Sequence, residues 1–117
     1  MAQSRTAAIA CELGALTPEE RERRAALAQA LVSGAESVRE LSDGYALQLR
    51  GTAALARESL DWLLLERRCC PFLRLELELE PDDGALWLRL RGGEGVKAFL
   101  AAAGLGGRTR AAGSSCC

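Results

Sequence analysis

Leucine stands at every second position from Leu73 to Leu79, and the positions between and after are Arg74, Glu76, Glu78 and Glu80. A period of two is that of a β-strand with one face in a core and the other in water. Pro81-Asp82-Asp83-Gly84 is turn sequence, after which Leu86, Leu88 and Leu90 point inward and Trp87, Arg89 and Arg91 outward. A four-residue turn sets Glu76 opposite Arg89, a favourable cross-strand pair. The pattern has an earlier copy. Tyr45-x-Leu47-x-Leu49-Arg50-Gly51 matches Leu86-x-Leu88-x-Leu90-Arg91-Gly92 at an offset of 41 positions. Val38 to Leu41 and the turn Ser42-Asp43-Gly44 give that copy a hairpin partner. Each copy reads hairpin, glycine, helix.

Three segments carry helical periodicity. In the first, Thr17 suits the N-cap, Pro18 the first turn, and Glu20 completes a capping box. Leu27, Ala28, Leu31 and Val32 share a face, Arg21, Glu22, Arg23 and Arg24 fall mostly elsewhere, and Ser33-Gly34 ends the helix. The second, capped by Thr52, runs from Ala53 to Arg68 with Leu55, Ser59, Trp62, Leu63 and Glu66 on or near one side. Pro71 disfavours helical geometry at Cys70, which places Cys69 and Cys70 in the last turn or at the exit. The third follows Gly92-Gly93-Glu94-Gly95, with Val96, Phe99, Leu100 and Ala103 inward and Gly104 as its stop. The expected fold is α+β: one domain of order α-ββα-ββα, a four-stranded antiparallel sheet with helices on one face, and a polar second face open to water or a partner. Residues 1–10 are expected to be loose, 11–105 to form the domain, and 106–117 to be a mobile tail.

The bulk properties exclude several classes of function. A chain of 117 residues buries one core without staples. Lys plus Arg is 15 against 16 for Asp plus Glu, which argues against nucleic-acid binding. No apolar run is long enough for a membrane span, and the N-terminus lacks a secretory pattern, so a cytoplasmic location is expected. There is no histidine, which removes Ser-His and Cys-His catalysis and His-ligated metal. Five cysteines are many for a reducing compartment, and two pairs of them are adjacent.

The chemistry concentrates in Glu66-Arg67-Arg68-Cys69-Cys70-Pro71-Phe72. Glu66 lies about one helical turn before the two thiols. Thiolates are both nucleophiles and soft-ion ligands, and they select Hg(II), Cu(I), As(III) or Zn(II). Adjacent cysteines bridge each other only through a strained ring, while a bridge from either to Cys11 is open to them. Cys11 also becomes a third metal ligand if the N-terminal segment folds back over the helix exit. Against this stands packing, since free cysteine often acts as a small buried hydrophobe. Trp62, Trp87 and Tyr45 read as packing residues.

Ile9-Ala10-Cys11-x-Leu13 and Leu65-Glu66-Arg67-Arg68-Cys69-Cys70-Pro71-Phe72, followed by an alternating hairpin, resemble a family of small uncharacterised bacterial proteins. These share an early cysteine and a Glu-x-x-Cys-Cys-x-Phe signature, and some are encoded near mercury-resistance genes. The resemblance spans about residues 9 to 103 and implies that Cys11, Glu66, Cys69, Cys70 and Phe72 form the family's site. Separately, Ser114-Ser115-Cys116-Cys117 is similar to the vicinal-cysteine tail of mercuric reductases.

The leading expectation is a mercury- or organomercurial-handling thiol protein that requires no cofactor. Its metal ligands would be Cys11, Cys69 and Cys70, with Cys116 and Cys117 exchanging metal with them or with other thiol proteins of metal resistance. If it is an enzyme, the expected reaction is protonolysis of a carbon–mercury bond by Cys69, Cys70 and Glu66, by analogy with organomercurial lyase. The alternatives are a thiol redox protein, with Cys11 paired to Cys69 or Cys70, and a non-catalytic interaction module using the open sheet face. A homodimer through that face or a strand edge is compatible with the pattern.

Overall fold

The computed structural model describes residues 11–109. The segment 1–10 and the Cys116-Cys117 pair lie outside the described residues.

The chain gives α1 (Pro18–Gly34), β1 (Ser37–Leu41), β2 (Gly44–Leu49), α2 (Ala53–Cys69), β3 (Arg74–Leu79), β4 (Leu86–Arg91), α3 (Val96–Leu100) and α4 (Gly106–Thr109). This is the expected α+β order. A single 3₁₀ turn, Leu13–Ala15, precedes α1. The start of α1 is the full capping box: the Thr17 side chain accepts from the Glu20 N–H, and the Glu20 carboxylate accepts from the Thr17 N–H. Thr52 caps α2 by accepting from the Leu55 N–H at 3.1 Å.

All four strands are antiparallel in the order β1-β2-β4-β3. The two repeat strands, β2 and β4, therefore lie side by side at the centre. Leu47 pairs with Leu88, its own repeat counterpart, while Tyr45 pairs with Leu90 and Leu49 with Leu86. The pairing thus has approximate two-fold symmetry centred on Leu47 and Leu88. Gly44 lets β2 pair closely with β4, because a Cβ there would collide with the Leu90 carbonyl.

The helices cover the leucine face. Leu27 and Leu31 of α1, Trp62 and Leu63 of α2, and Val96 and Leu100 of α3 join Leu47, Leu49, Leu88 and Leu90 in one core. Among the described residues, no helix is long and apolar enough to cross a membrane.

The polar face is more closed than its pattern implies. Trp87 points to that face, as expected, but is buried: Arg39 lies 4.8 Å over its ring, Arg89 5.9 Å, and its Nε1 donates to Glu80 Oε2 at 3.0 Å. Glu76 does sit opposite Arg89. The ion pairs nevertheless form diagonally, Arg89 to Glu78 at 2.6 Å and Arg91 to Glu76 at 3.4 Å, because long side chains reach the next neighbour as easily as the facing one.

Two apolar expectations need correction. Leu79 is exposed, since it ends an edge strand where no helix reaches it. Ala103 is exposed too. The chain passes from α3 into a π-type turn, Ala101–Leu105, and Gly104 at φ 116° reverses the helical path. That break buries Leu105 in place of Ala103, and helical conformation continues to Thr109.

Candidate thiol and metal centre

Cys69 ends α2 and Cys70 is its C-cap, with φ −127° and ψ 70°, outside the helical region that the following Pro71 disfavours. The Cys70 N–H still closes on the Glu66 carbonyl at 2.7 Å, so the backbone at Cys70 is tied to Glu66 one turn earlier. The segment before α1 folds over this exit. The Glu12 N–H donates to the Cys69 carbonyl, and Arg68 Nη2 donates to the Ala15 carbonyl at 3.0 Å. This brings Cys11 to Cys70, and the two form a disulfide across 59 positions of sequence. Cys69 remains a free thiol, with its Sγ 3.5 Å from that of Cys70.

Glu66 completes the group. One ligand atom from each of Cys11, Glu66, Cys69 and Cys70 lies within 4.8 Å of the others, and Glu66, Cys69 and Cys70 are buried. Leu16, Leu65, Phe72 and Leu73 wall the cysteines. Phe72 is held in turn by an edge-to-face contact with Phe99 at 5.2 Å.

Arg24 is the residue that the sequence reading missed. Expected to face away, it reaches Glu66 with two prongs, Nε to Oε1 at 2.7 Å and Nη2 to Oε2 at 3.2 Å. The same Nη2 lies 3.9 Å from Cys11 Sγ and 4.0 Å from Cys70 Sγ. Leu27, Ala28 and Leu31 follow Arg24 at helical i+3, i+4 and i+7 spacing. The period itself therefore puts Arg24 on the inner face, and that spacing is the signal in the sequence. Exposed pairs flank it between the same two helices, Arg23 to Asp61 at 2.8 Å and Arg68 to Glu20 at 2.9 Å.

Burial pushes the Cys69 thiol above its usual pKa; the Glu66 carboxylate adds to this and Arg24 opposes it. Burial works against the Arg24 cation, but the hydrogen bonds and charge of Glu66 outweigh it and hold Arg24 above its ordinary value.

Three sulfurs around an ion at a metal–sulfur distance of about 2.3 Å stand roughly 4 Å from one another. Cys69 is already 3.5 Å from Cys70, whereas Cys11 and Cys70 are bonded and stand closer than that, so reduction has to part those two before an ion fits between the sulfurs. Both oxygens of Glu66 are engaged by Arg24, so the donors left to an ion in the reduced state are three thiolates. That set suits a soft ion of low coordination number better than a tetrahedral one. In the oxidised state the same atoms are a disulfide beside a thiol, the arrangement of thiol exchange.

No family model, curated protein or solved structure matches the chain.

Proposed function

We propose that this protein captures a soft, thiol-seeking metal ion, Hg(II) or an organomercurial, on Cys11, Cys69 and Cys70 in their reduced state. The observation that carries this reading is the convergence of those three sulfurs with Glu66 within 4.8 Å, in a buried site. Each metal–sulfur bond that forms displaces a thiol proton to solvent. The Arg24 guanidinium offsets part of the negative charge that three thiolates and Glu66 would otherwise concentrate there. The Cys11–Cys70 disulfide removes two donors, so capture starts from the reduced protein.

The likeness of Glu66-Arg67-Arg68-Cys69-Cys70-Pro71-Phe72 to the cysteine-protein signature, whose genes in some cases neighbour mercury resistance, agrees with mercury as the ion. Cys116 and Cys117 would pass metal to the site. Because Arg24 occupies both oxygens of Glu66, capture suits the geometry better than carbon–mercury protonolysis with Glu66 as acid.

Native mass spectrometry of a Cys116→Ser/Cys117→Ser protein tests the reading. The reduced form should hold one Hg(II) against excess small thiol, the oxidised form should not, and Cys69→Ser should weaken retention. A reduced protein that loses Hg(II) to the small thiol overturns it.

The disulfide favours a second reading, a thiol redox protein in which Cys11 resolves an oxidised Cys70. That reading predicts formation of the bridge by substoichiometric peroxide at a rate well above that of a free thiol.

A further inference from the structure

Beside the thiol cluster lies a cavity of about 300 Å³. Cys11, Arg24 and Glu66 line it together with apolar groups from the sheet and three helical segments, among them Leu47, Leu90 and Trp62. The polar residues of its lining are thus the metal site's own, and the remainder is aliphatic or aromatic. An engineered cavity of roughly 150 Å³ with wholly apolar walls takes up benzene, so this space exceeds what one ring needs.

Trp62 forms part of the apolar wall. It is more than nine-tenths buried and lines the cavity, yet its Nε1–H has no acceptor among the described residues. Ser59, one turn earlier on α2 and fully buried, also leaves its hydroxyl unpartnered. Unpaired buried donors are uncommon, since each costs a lost hydrogen bond to water. The Nε1 atom itself is shut off from the cavity, so what Trp62 offers an occupant is the apolar part of its ring, against which an aryl group packs.

We infer that the cavity is the second half of the thiol site: it receives the aryl group of an arylmetal cation whose metal is bound by the cysteines. The inference rests on the proposed soft-metal capture and narrows it to a substrate class. The binding step is a ligand exchange. A metal–sulfur bond to a cysteine forms as its thiol proton goes to solvent, and the small thiolate that carried the arylmetal leaves with its electron pair. The carbon–metal bond stays intact and nothing is oxidised or reduced. Cys11 joins the two halves, because it belongs to both the sulfur cluster and the cavity wall.

The test compares Hg(II), methylmercury and phenylmercury on the reduced, full-length Cys116→Ser/Cys117→Ser protein. Each is measured as an exchange constant against the same small thiol, so that intrinsic mercury–sulfur differences cancel. Burying a phenyl rather than a methyl group should favour phenylmercury about tenfold to a hundredfold. Ala28→Leu, which adds bulk to the cavity wall, should shrink that preference and leave Hg(II) retention unchanged. Ala103→Phe, at an exposed lining position, repeats the test should Ala28→Leu not fold. In a Trp87→Phe background, Trp62 fluorescence should respond to phenylmercury more than to methylmercury. Hg(II) retained with equal exchange constants for phenyl- and methylmercury overturns the inference and leaves metal capture standing. Loss of all three mercurials to the small thiol overturns both.

Discussion

Arg24 and Glu66 form the buried link between α1 and α2, and removing one partner should cost far more than removing both. Glu66 is 5% exposed and Arg24 21%. Breaking a buried ion pair from one side costs about 3–5 kcal/mol, because the remaining charge is stranded, whereas replacing both partners by apolar groups is often neutral. The partial exposure of Arg24 puts the expected loss for Arg24→Met at the low end, about 3 kcal/mol. That is a large share of the roughly 5–15 kcal/mol that holds a domain folded. With a urea slope near 1.5 kcal/mol/M, the midpoint should fall by about 2 M. Arg24→Met/Glu66→Leu should return to within about 1 kcal/mol of the parent. The assay is equilibrium urea unfolding of the parent, both single variants and the double variant, all under reducing conditions so that the disulfide does not contribute. A coupling of at least about 2 kcal/mol is expected; single effects that add to within about 0.5 kcal/mol would refute the buried pair.

Two further outcomes follow from the cysteines. The Cys11–Cys70 bridge spans 59 positions, and closing a loop of that length in the unfolded chain stabilises the fold by up to about 4 kcal/mol. A reductant should therefore lower the melting temperature of the parent and leave that of Cys11→Ser unmoved; a parent indifferent to reductant contradicts the bridge. Cys69 gives a pH dependence. Burial raises its folded pKa above the unfolded value, so the folded chain keeps a proton that the unfolded chain releases. Its contribution is complete below the ordinary thiol range and is lost as pH rises through that range toward the folded pKa. With the bridge intact, urea midpoints between about pH 7 and 10 should fall more steeply for the parent than for Cys69→Ser, and identical slopes would count against a buried thiol there.

What the sequence determined by itself is whatever rests on local periodicity and short-range chemistry. The unbroken alternation around Leu77 and Leu88 set the strands, their inward faces and the register that puts Glu76 opposite Arg89. Thr17, Glu20 and Thr52 set the helix starts, and Pro71 set the exit that carries Cys69 and Cys70. The partnership of Glu66 with those thiols was legible for the same reason, since one helical turn separates them.

Tertiary structure alone decided what depends on packing between distant segments. Cys11 was legible as a candidate, but only the folding of the 11–16 segment over the end of α2 joins it to Cys70. The spacing of Arg24 before Leu27 and Leu31 places it on the inner face, yet no local rule says that a carboxylate 42 positions later waits there to pair with it. The cavity was illegible for a deeper reason. It is the space left where α1, α2, the sheet and the Gly104 reversal fail to meet, and a void is a property of their joint packing.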